Sequence, residues 1–439
     1  MRGMQPEEHL LIFGASARAA AFSALRAGLR PWCADLFADR DLVSRCPVRR
    51  VPPQRYPEIF LEISGQGPPG AWMYTGGLEN RPNLVHRITS QRLLWGNSRE
   101  ALALARSPYL LSRQLQQAGI PCPRIATQCD GRFMSGRWLA KSLRGSGGAG
   151  IGFVSDQAGE SRTRGVFFQE YIDGDPCSAV YVGRGTEARL LGVSLQLVGQ
   201  EWLHAAPFHY CGSIGPLALK PGTHAKFEQI GRMLVRLCGL RGLFGVDCVL
   251  QEGIPWVIEV NPRYPASVEV LEHATVVSAL ALHRHAFEAD ASEPPLRGSA
   301  GSSLPSPPLR GRGAGGEGDE QSPAEAPHPR PLSPEYRGEG GEIAAAFLMK
   351  KEPVSIVGKA ILFARSPLHF PKEGSWLPAL DPGRPIHELP AYADIPEAGE
   401  IIEAGKPILT LFARAATVAE CGDSLRRKAA ALDSSLFAT

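Results

Sequence analysis

Residues Gly242–Pro265 read GLFGVDCVLQEGIPWVIEVNPRYP. Two apolar runs, Val246–Leu250 and Trp256–Val260, flank Gln251-Glu252-Gly253, a short turn with a glycine in it. The pattern predicts a β-hairpin. Asp247 stands near the start of its first strand. Glu259 and Asn261 stand at the end of the second, two apart and therefore on one face. Asp247, Glu259 and Asn261 thus bring three hard oxygen ligands together across adjacent strands. Mg²⁺ suits such a set, because it takes few protein ligands and keeps room for water and phosphate oxygens; Mn²⁺ is the alternative ion. Arg263, two residues on, is a planar donor for phosphate or carboxylate. The bland alternative is a hairpin whose charges face solvent.

The sequence upstream weighs against that alternative. Trp138-Leu139-Ala140-Lys141 reads as a strand ending in a lysine, and a glycine-rich stretch, RGSGGAGIG, follows from Arg144 to Gly152. Gly145, Ser146, Gly147, Gly148 and Gly150 would let backbone N–H groups approach phosphates unobstructed by Cβ atoms. Lys141 would supply a point charge. Taken alone, this stretch reads equally well as a flexible hairpin. Next, VFFQEYIDG (Val166–Gly174) is an apolar strand running into a polar turn, whose free backbone groups can hydrogen-bond an adenine.

In that order, strand–lysine, glycine loop, QEYIDG hinge and GVD…EVNPR hairpin, the features resemble the ATP-grasp superfamily, with matching motifs from about Asn97 to His273. The resemblance implies two α+β lobes that clamp ATP. It places Lys141 on the α/β-phosphates and Gly145–Gly150 over the β/γ-phosphates. It places Glu170 and the Tyr171–Ile172 backbone on the adenine, and Asp175 at the ribose. Asp247, Glu259 and Asn261 would hold Mg²⁺, with Arg263 facing the transferring phosphoryl group. One departure stands out. The family's early lysine is missing between Asn97 and Pro108, where Arg99 and Arg106 are the available cations. GNSREAL, FHYCGSIGP and the C-terminal segment further resemble a set of bacterial ATP-grasp proteins linked to one-carbon metabolism.

The chain has 439 residues, 44% of them hydrophobic, enough for several cores. With 47 basic and 44 acidic residues the charge is near balance, so nothing points to nucleic acid or an anionic membrane as partner. Nine cysteines are scattered without a C-x-x-C pair and read as reduced thiols of a cytoplasmic protein. No run approaches a membrane span or a signal peptide. Small-molecule acid and amine substrates are the expected partners, and a homodimer is left open.

The expected fold is α/β and α+β. A Rossmann-like domain over residues 1–95 begins with a β-α-β pattern but lacks G-x-G-x-x-G. The ATP-grasp domain spans 96–290, with lobes at about 96–170 and 171–290. Residues 291–341, rich in Pro, Gly, Ser, Arg and Glu, read as a disordered insertion. A β-rich module with a terminal helix closes the chain over 342–439. Gly76, Gly77 and Glu79 form a weak substrate-side candidate at a strand's C-terminal end. Trp202–Pro216 reads as an irregular loop in which His204, His209 and Tyr210 are weaker candidates still. His283 and His285, two apart on a helix, read as surface residues.

The function these motifs imply is an ATP- and Mg²⁺-dependent ligase that activates a carboxylate for attack by an amine. Two alternatives come from the missing lysine and from the C-terminal segment. They are a catalytically degenerate nucleotide-binding protein and a biotin-carboxylase-like component.

Overall fold

The computed structural model describes residues 8–128, 136–154, 165–275, 277–288 and 355–437. The proline- and glycine-rich insertion and the strand expected at Ile343–Met349 lie outside the described residues.

The N-terminal part contains β1 (His9–Phe13), α1 (Arg18–Arg26), β2 (Arg30–Asp35), α2 (Arg40–Val43), β3 (Val48–Arg50), α3 (Phe60–Ser64), β4 (Ala71–Tyr74) and α4 (Pro82–Thr89). The four strands pair in parallel in the order β3-β2-β1-β4. A parallel sheet is buried on both faces, and β1 shows how. Leu10 and Ile12 pack among Ala20, Ala21 and Ala24 of α1, whereas Leu11 and Phe13 pack among Phe60, Trp72 and Val85. The strand order reverses between β1 and β4, so the loops after these two strands flank a crevice at the sheet's C-terminal end. Gly77 there has φ +105°, and a Cβ on it would fall 1.8 Å from the Tyr56 hydroxyl.

Helices α5 (Arg99–Ala105) and α6 (Pro108–Gln117) follow, each with a serine at its N-cap, Ser98 and Ser107. They lead into a small antiparallel sheet of β5 (Ile125–Ala126), β6 (Trp138–Ser142), β7 (Gly152–Phe153) and β8 (Val166–Glu170), in the order β5-β8-β6-β7. The chain then runs through β9 (Asp175–Arg184), β10 (Glu187–Val198), β11 (Tyr210–Gly215), α7 (Pro221–Cys238), β12 (Gly242–Gln251), β13 (Ile254–Asn261), α8 (Val268–Thr275) and α9 (Ala279–His285). After the insertion come β14 (Ile356–Phe363), β15 (Leu368–His369), β16 (Tyr392–Ala393), β17 (Ile401–Ile402), β18 (Pro407–Ala415) and α10 (Val418–Leu436).

Eight of these strands form one antiparallel sheet, β13-β12-β9-β10-β11-β14-β18-β16. The C-terminal strands therefore extend the sheet that carries the hairpin. The join is β11, in a stretch whose sequence reads as irregular. YCGSIG has weak strand composition, but it pairs on both sides, with β10 and β14, and buries Cys211 and Ile214. Context outweighs propensity here. Along β9 the alternation assigns the faces. Cys177, Ala179 and Tyr181 pack with Phe227, Ile230 and Leu234 of α7; Ser178, Val180 and Val182 point the other way, where the two valines join the α1 core.

One reading is corrected here. His283 is not a surface residue. It is 2% exposed, its Nδ1 accepts from the Leu243 N–H at 2.8 Å, and burial pushes its imidazole down to about 4. His285 is exposed.

Candidate active site

The hairpin turn is Glu252-Gly253, both at positive φ, the arrangement that suits a two-residue connection. In the hairpin Asp247 pairs with Glu259 and Val246 with Val260, but Cys248 pairs with Val257. Ile258 is thus an extra residue on β13, a β-bulge. The bulge lets Val257 and Val260 both join the α7 core while Glu259 shares a face with Asp247. That face also carries Ser178, which pairs with Asp247, and Ser194, which pairs with Ser178. The metal-type side chains therefore stand on the sheet face opposite α7.

Asp247 accepts from Gln196 Nε2 at 2.9 Å and from Asn261 Nδ2 at 2.8 Å. Burial, with the nearby Glu259 charge, pushes its carboxyl up to about 6. Glu259 goes the other way. Burial would raise it, but the Arg106 and Lys141 charges and the Arg106 hydrogen bond hold it below its ordinary value. Asn261 presents its Oδ1 to Arg263 Nη2 at 3.1 Å. Two carboxylates and an amide are a donor set that fits Mg²⁺ better than a metal needing a full protein cage. Among the described residues, no group of three or more His, Cys, Asp or Glu side chains is placed to hold a metal.

Lys141 faces the hairpin from β6. It is 8% exposed and donates to Gln169 Oε1 at 3.0 Å, and Gln169 Nε2 donates to the Ile258 carbonyl at 3.2 Å. Gln169 thereby ties the small sheet to the bulge. Burial lowers the lysine's pKa, and the Glu259 and Asp247 charges oppose that shift. Lys141, the loop Gly145–Ala149, Arg106, Ile258 and Glu259 line one cleft.

The glycine loop is folded down on its surroundings. The Gly147 carbonyl accepts from the Tyr210 N–H at 3.1 Å, and Asn80 Nδ2 reaches the Arg144 and Gly145 carbonyls at 3.3 and 3.4 Å. Gly148, at φ +85°, lies so close to Phe208 that a Cβ would fall 1.9 Å from its carbonyl oxygen.

Arg106, between α5 and α6, enters the same cleft, whereas Arg99 is exposed. Arg106 pairs with Glu259, reaches Asn80 Oδ1 at 3.1 Å and donates to the Gly145 carbonyl at 3.2 Å. Just beyond Asn261, Arg263 donates from Nε to Glu79 Oε1 at 2.8 Å. Glu79 is 1% exposed and sits in the loop after β4. The crevice of the N-terminal sheet therefore opens beside the hairpin's end. Tyr74 and Asn97 fasten the two together through the Pro262 carbonyl, at 3.2 and 3.0 Å.

The remaining sequence candidates fall elsewhere. Glu170 pairs with Arg124 at 2.9 Å, and the Tyr171 N–H donates to the Arg137 carbonyl at 2.8 Å. Glu170, Tyr171 and Ile172 do not line the cleft of Lys141 and the glycine loop, and Asp175 is exposed at the start of β9. His204 is tied to Asp433 of α10 at 3.0 Å, and the Tyr210 hydroxyl is hydrogen-bonded to Ser213 at 2.9 Å. Three residues that the sequence reading did not single out take part: Asn80, Gln169 and Gln196. Only Gln169, beside the hinge glutamate, lay within a recognisable motif.

Comparison with known proteins agrees with this geometry. Residues 105–267 match the family model of the ATP-grasp domain. Among solved structures, the fold is similar to that of an L-amino acid ligase from Bacillus licheniformis, with a TM-score of 0.63 at 16% identity, covering 97% of this chain and 98% of the other. It is also similar to N5-carboxyaminoimidazole ribonucleotide synthetase from Thermus thermophilus, with a TM-score of 0.59 at 13% identity, covering 97% and 98%. A third is the biotin carboxylase domain of 2-oxoglutarate carboxylase from Hydrogenobacter thermophilus, solved with MgADP and bicarbonate, with a TM-score of 0.60 at 11% identity, covering 95% and 89%. No curated protein sequence matches the chain. Among the described residues, no helix is long and apolar enough to cross a membrane.

Proposed function

We propose that this chain is an ATP- and Mg²⁺-dependent ligase that joins a carboxylate to an amine through an acyl phosphate. The observation that carries this reading is the cleft itself. Lys141, Arg106 and the glycine loop face Glu259 across one space, with Asp247 paired beside Glu259 and Arg263 at the N-terminal-domain end. Phosphoryl transfer asks a protein mainly for positioning and charge neutralisation, and this cleft is built from groups that do both.

In the proposed reaction a substrate carboxylate oxygen attacks the γ-phosphorus and the bond to the ADP oxygen breaks. The amine nitrogen then attacks the acyl carbon, and phosphate leaves with the bonding pair. The amine proton passes to phosphate or solvent, so no dedicated protein base is required. Lys141 would hold phosphate oxygens as a buried point charge, and Ser146, Gly147, Gly148 and Gly150 would present N–H groups to them, while the Gly145 N–H is held by the Ser142 carbonyl. Asp247, Glu259 and Asn261 would hold Mg²⁺, which supplies neutralisation of phosphate charge. Arg263, as a fork-shaped donor, would orient the acid or the transferring group. At the hinge the Glu170 and Tyr171 N–H groups are already taken, by the Arg124 and Arg137 carbonyls, so the Ile172 backbone would be left to meet the adenine.

The test is ADP release by the purified full chain against panels of carboxylic acids and amines. The reading expects turnover that needs one of each and Mg²⁺, and that is lost in Glu259→Gln. Turnover that ignores both panels, or survives Glu259→Gln at the wild-type rate, would overturn it.

A further inference from the structure

Arg106 occupies an unusual position. It is 12% exposed at its side chain and bridges three parts of the molecule: Glu259 on the hairpin, the Gly145 carbonyl on the glycine loop and Asn80 after β4. Its main partner is a carboxylate proposed above as a metal ligand. Both groups line the cleft that Lys141 also lines. Arg106 takes Glu259 through Oε1 alone, but a guanidinium and a divalent cation held at close range on one carboxylate repel each other.

We propose that Arg106 is a phosphate-binding residue held in reserve on Glu259. When metal takes Glu259, Arg106 is released within the same cleft and transfers its charge to the nucleotide phosphates. The proposal rests on the ligase reading for the identity of the ligands, but it adds a property that reading does not contain. Metal and nucleotide binding become coupled through an exchange of partners at one arginine. Arginine suits this exchange because its planar fork fits carboxylate and phosphate equally well. Its contacts to Asn80 and Gly145 do not involve the carboxylate, so they can keep it in place while the partner changes.

The exchange makes a counter-intuitive expectation. Removing the Glu259 charge should weaken MgATP binding, yet strengthen binding of ATP without metal, because Arg106 is already free. Loss of simple repulsion between Glu259 and phosphate would also strengthen it, so the effect must be measured with and without Arg106. Calorimetric titration of ATP, in EDTA and in Mg²⁺, is made into the full-length wild type, Glu259→Gln, Arg106→Ala and the double variant. Arg106→Gln replaces the alanine variant if that one fails to fold, as judged by circular dichroism.

The expected result is about a tenfold gain in metal-free ATP affinity from Glu259→Gln when Arg106 is present, falling to about twofold or less when it is absent. An equal gain in both backgrounds, or no gain in either, overturns the exchange. If in addition neither variant alters MgATP affinity, the nucleotide site itself is misplaced, so the two failures are distinguishable.

Discussion

Asp247→Asn should make the metal-free protein more stable while removing its metal. Burial and the Glu259 charge push the Asp247 carboxyl up to about 6. A carboxylate raised in this way binds its proton more tightly folded than unfolded. The cost to the folded state is therefore absent below about pH 4, grows as pH rises and is complete above about pH 6, where it reaches at most about 3 kcal/mol. The substitution removes that cost. It also loses one of two accepted hydrogen bonds, from Gln196 or from Asn261, worth about 1 kcal/mol. The net gain at about pH 8 is about 2 kcal/mol, or about 2 °C in Tm for a chain of this length. At about pH 5 the wild type is already mostly protonated there, and the gain should shrink below about 1 kcal/mol. Thermal unfolding in EDTA at both pH values measures this, and added Mg²⁺ should raise the Tm of the wild type alone. A variant less stable than wild type at the higher pH, or a gain that ignores pH, would refute the reasoning.

Other outcomes follow from the same geometry. Gly148→Ala places a Cβ against the Phe208 carbonyl at a left-handed φ, so the glycine loop should lift, with lower MgATP affinity and faster proteolysis at the loop; unchanged cleavage and affinity would contradict the closed contact. Lys141→Ala should weaken MgATP binding by roughly 2–4 kcal/mol, the scale for losing a desolvated charge partner, and calorimetry that shows no loss would remove its phosphate role. Arg18, fully buried, pairs with Glu269 and, at 2.9 Å, with Asp394; Arg18→Ala should cost about 3 kcal/mol in denaturant unfolding because Asp394 loses its guanidinium and Glu269 keeps only Lys359, and a loss under about 1 kcal/mol would show that the network does not hold the N-terminal and C-terminal segments together.

Much of the site was legible because its residues serve chemistry in short local patterns. Asp247, Glu259 and Asn261 sit in one hairpin whose alternation is readable, and the structure puts all three on one face. The bulge at Ile258 was not readable, because an extra residue leaves no mark in a short apolar run. Arg106 and Asn80 were harder still. Their positions, Arg106 in the cleft and Asn80 bonded to it, depend on how the N-terminal sheet meets the hairpin, a contact set by Tyr74, Asn97 and Pro262 far apart in sequence. The C-terminal strands looked like a separate module because β11, their link to the large sheet, has the composition of a loop. His283 was misread for a related reason. Histidine spacing speaks to metal ligation but says nothing of a backbone N–H waiting to be satisfied in a neighbouring strand.

The central claim is that a carboxylate is activated by phosphorylation in the Lys141–Glu259 cleft. It is tested most directly with ¹⁸O. The full chain is incubated with MgATP, hydroxylamine in place of the amine, and a pool of acids labelled with ¹⁸O in their carboxylates. The account predicts a hydroxamate, ADP, and inorganic phosphate carrying one ¹⁸O from the acid, all lost in Glu259→Gln. ADP with unlabelled phosphate and no hydroxamate, or AMP with pyrophosphate, would contradict it.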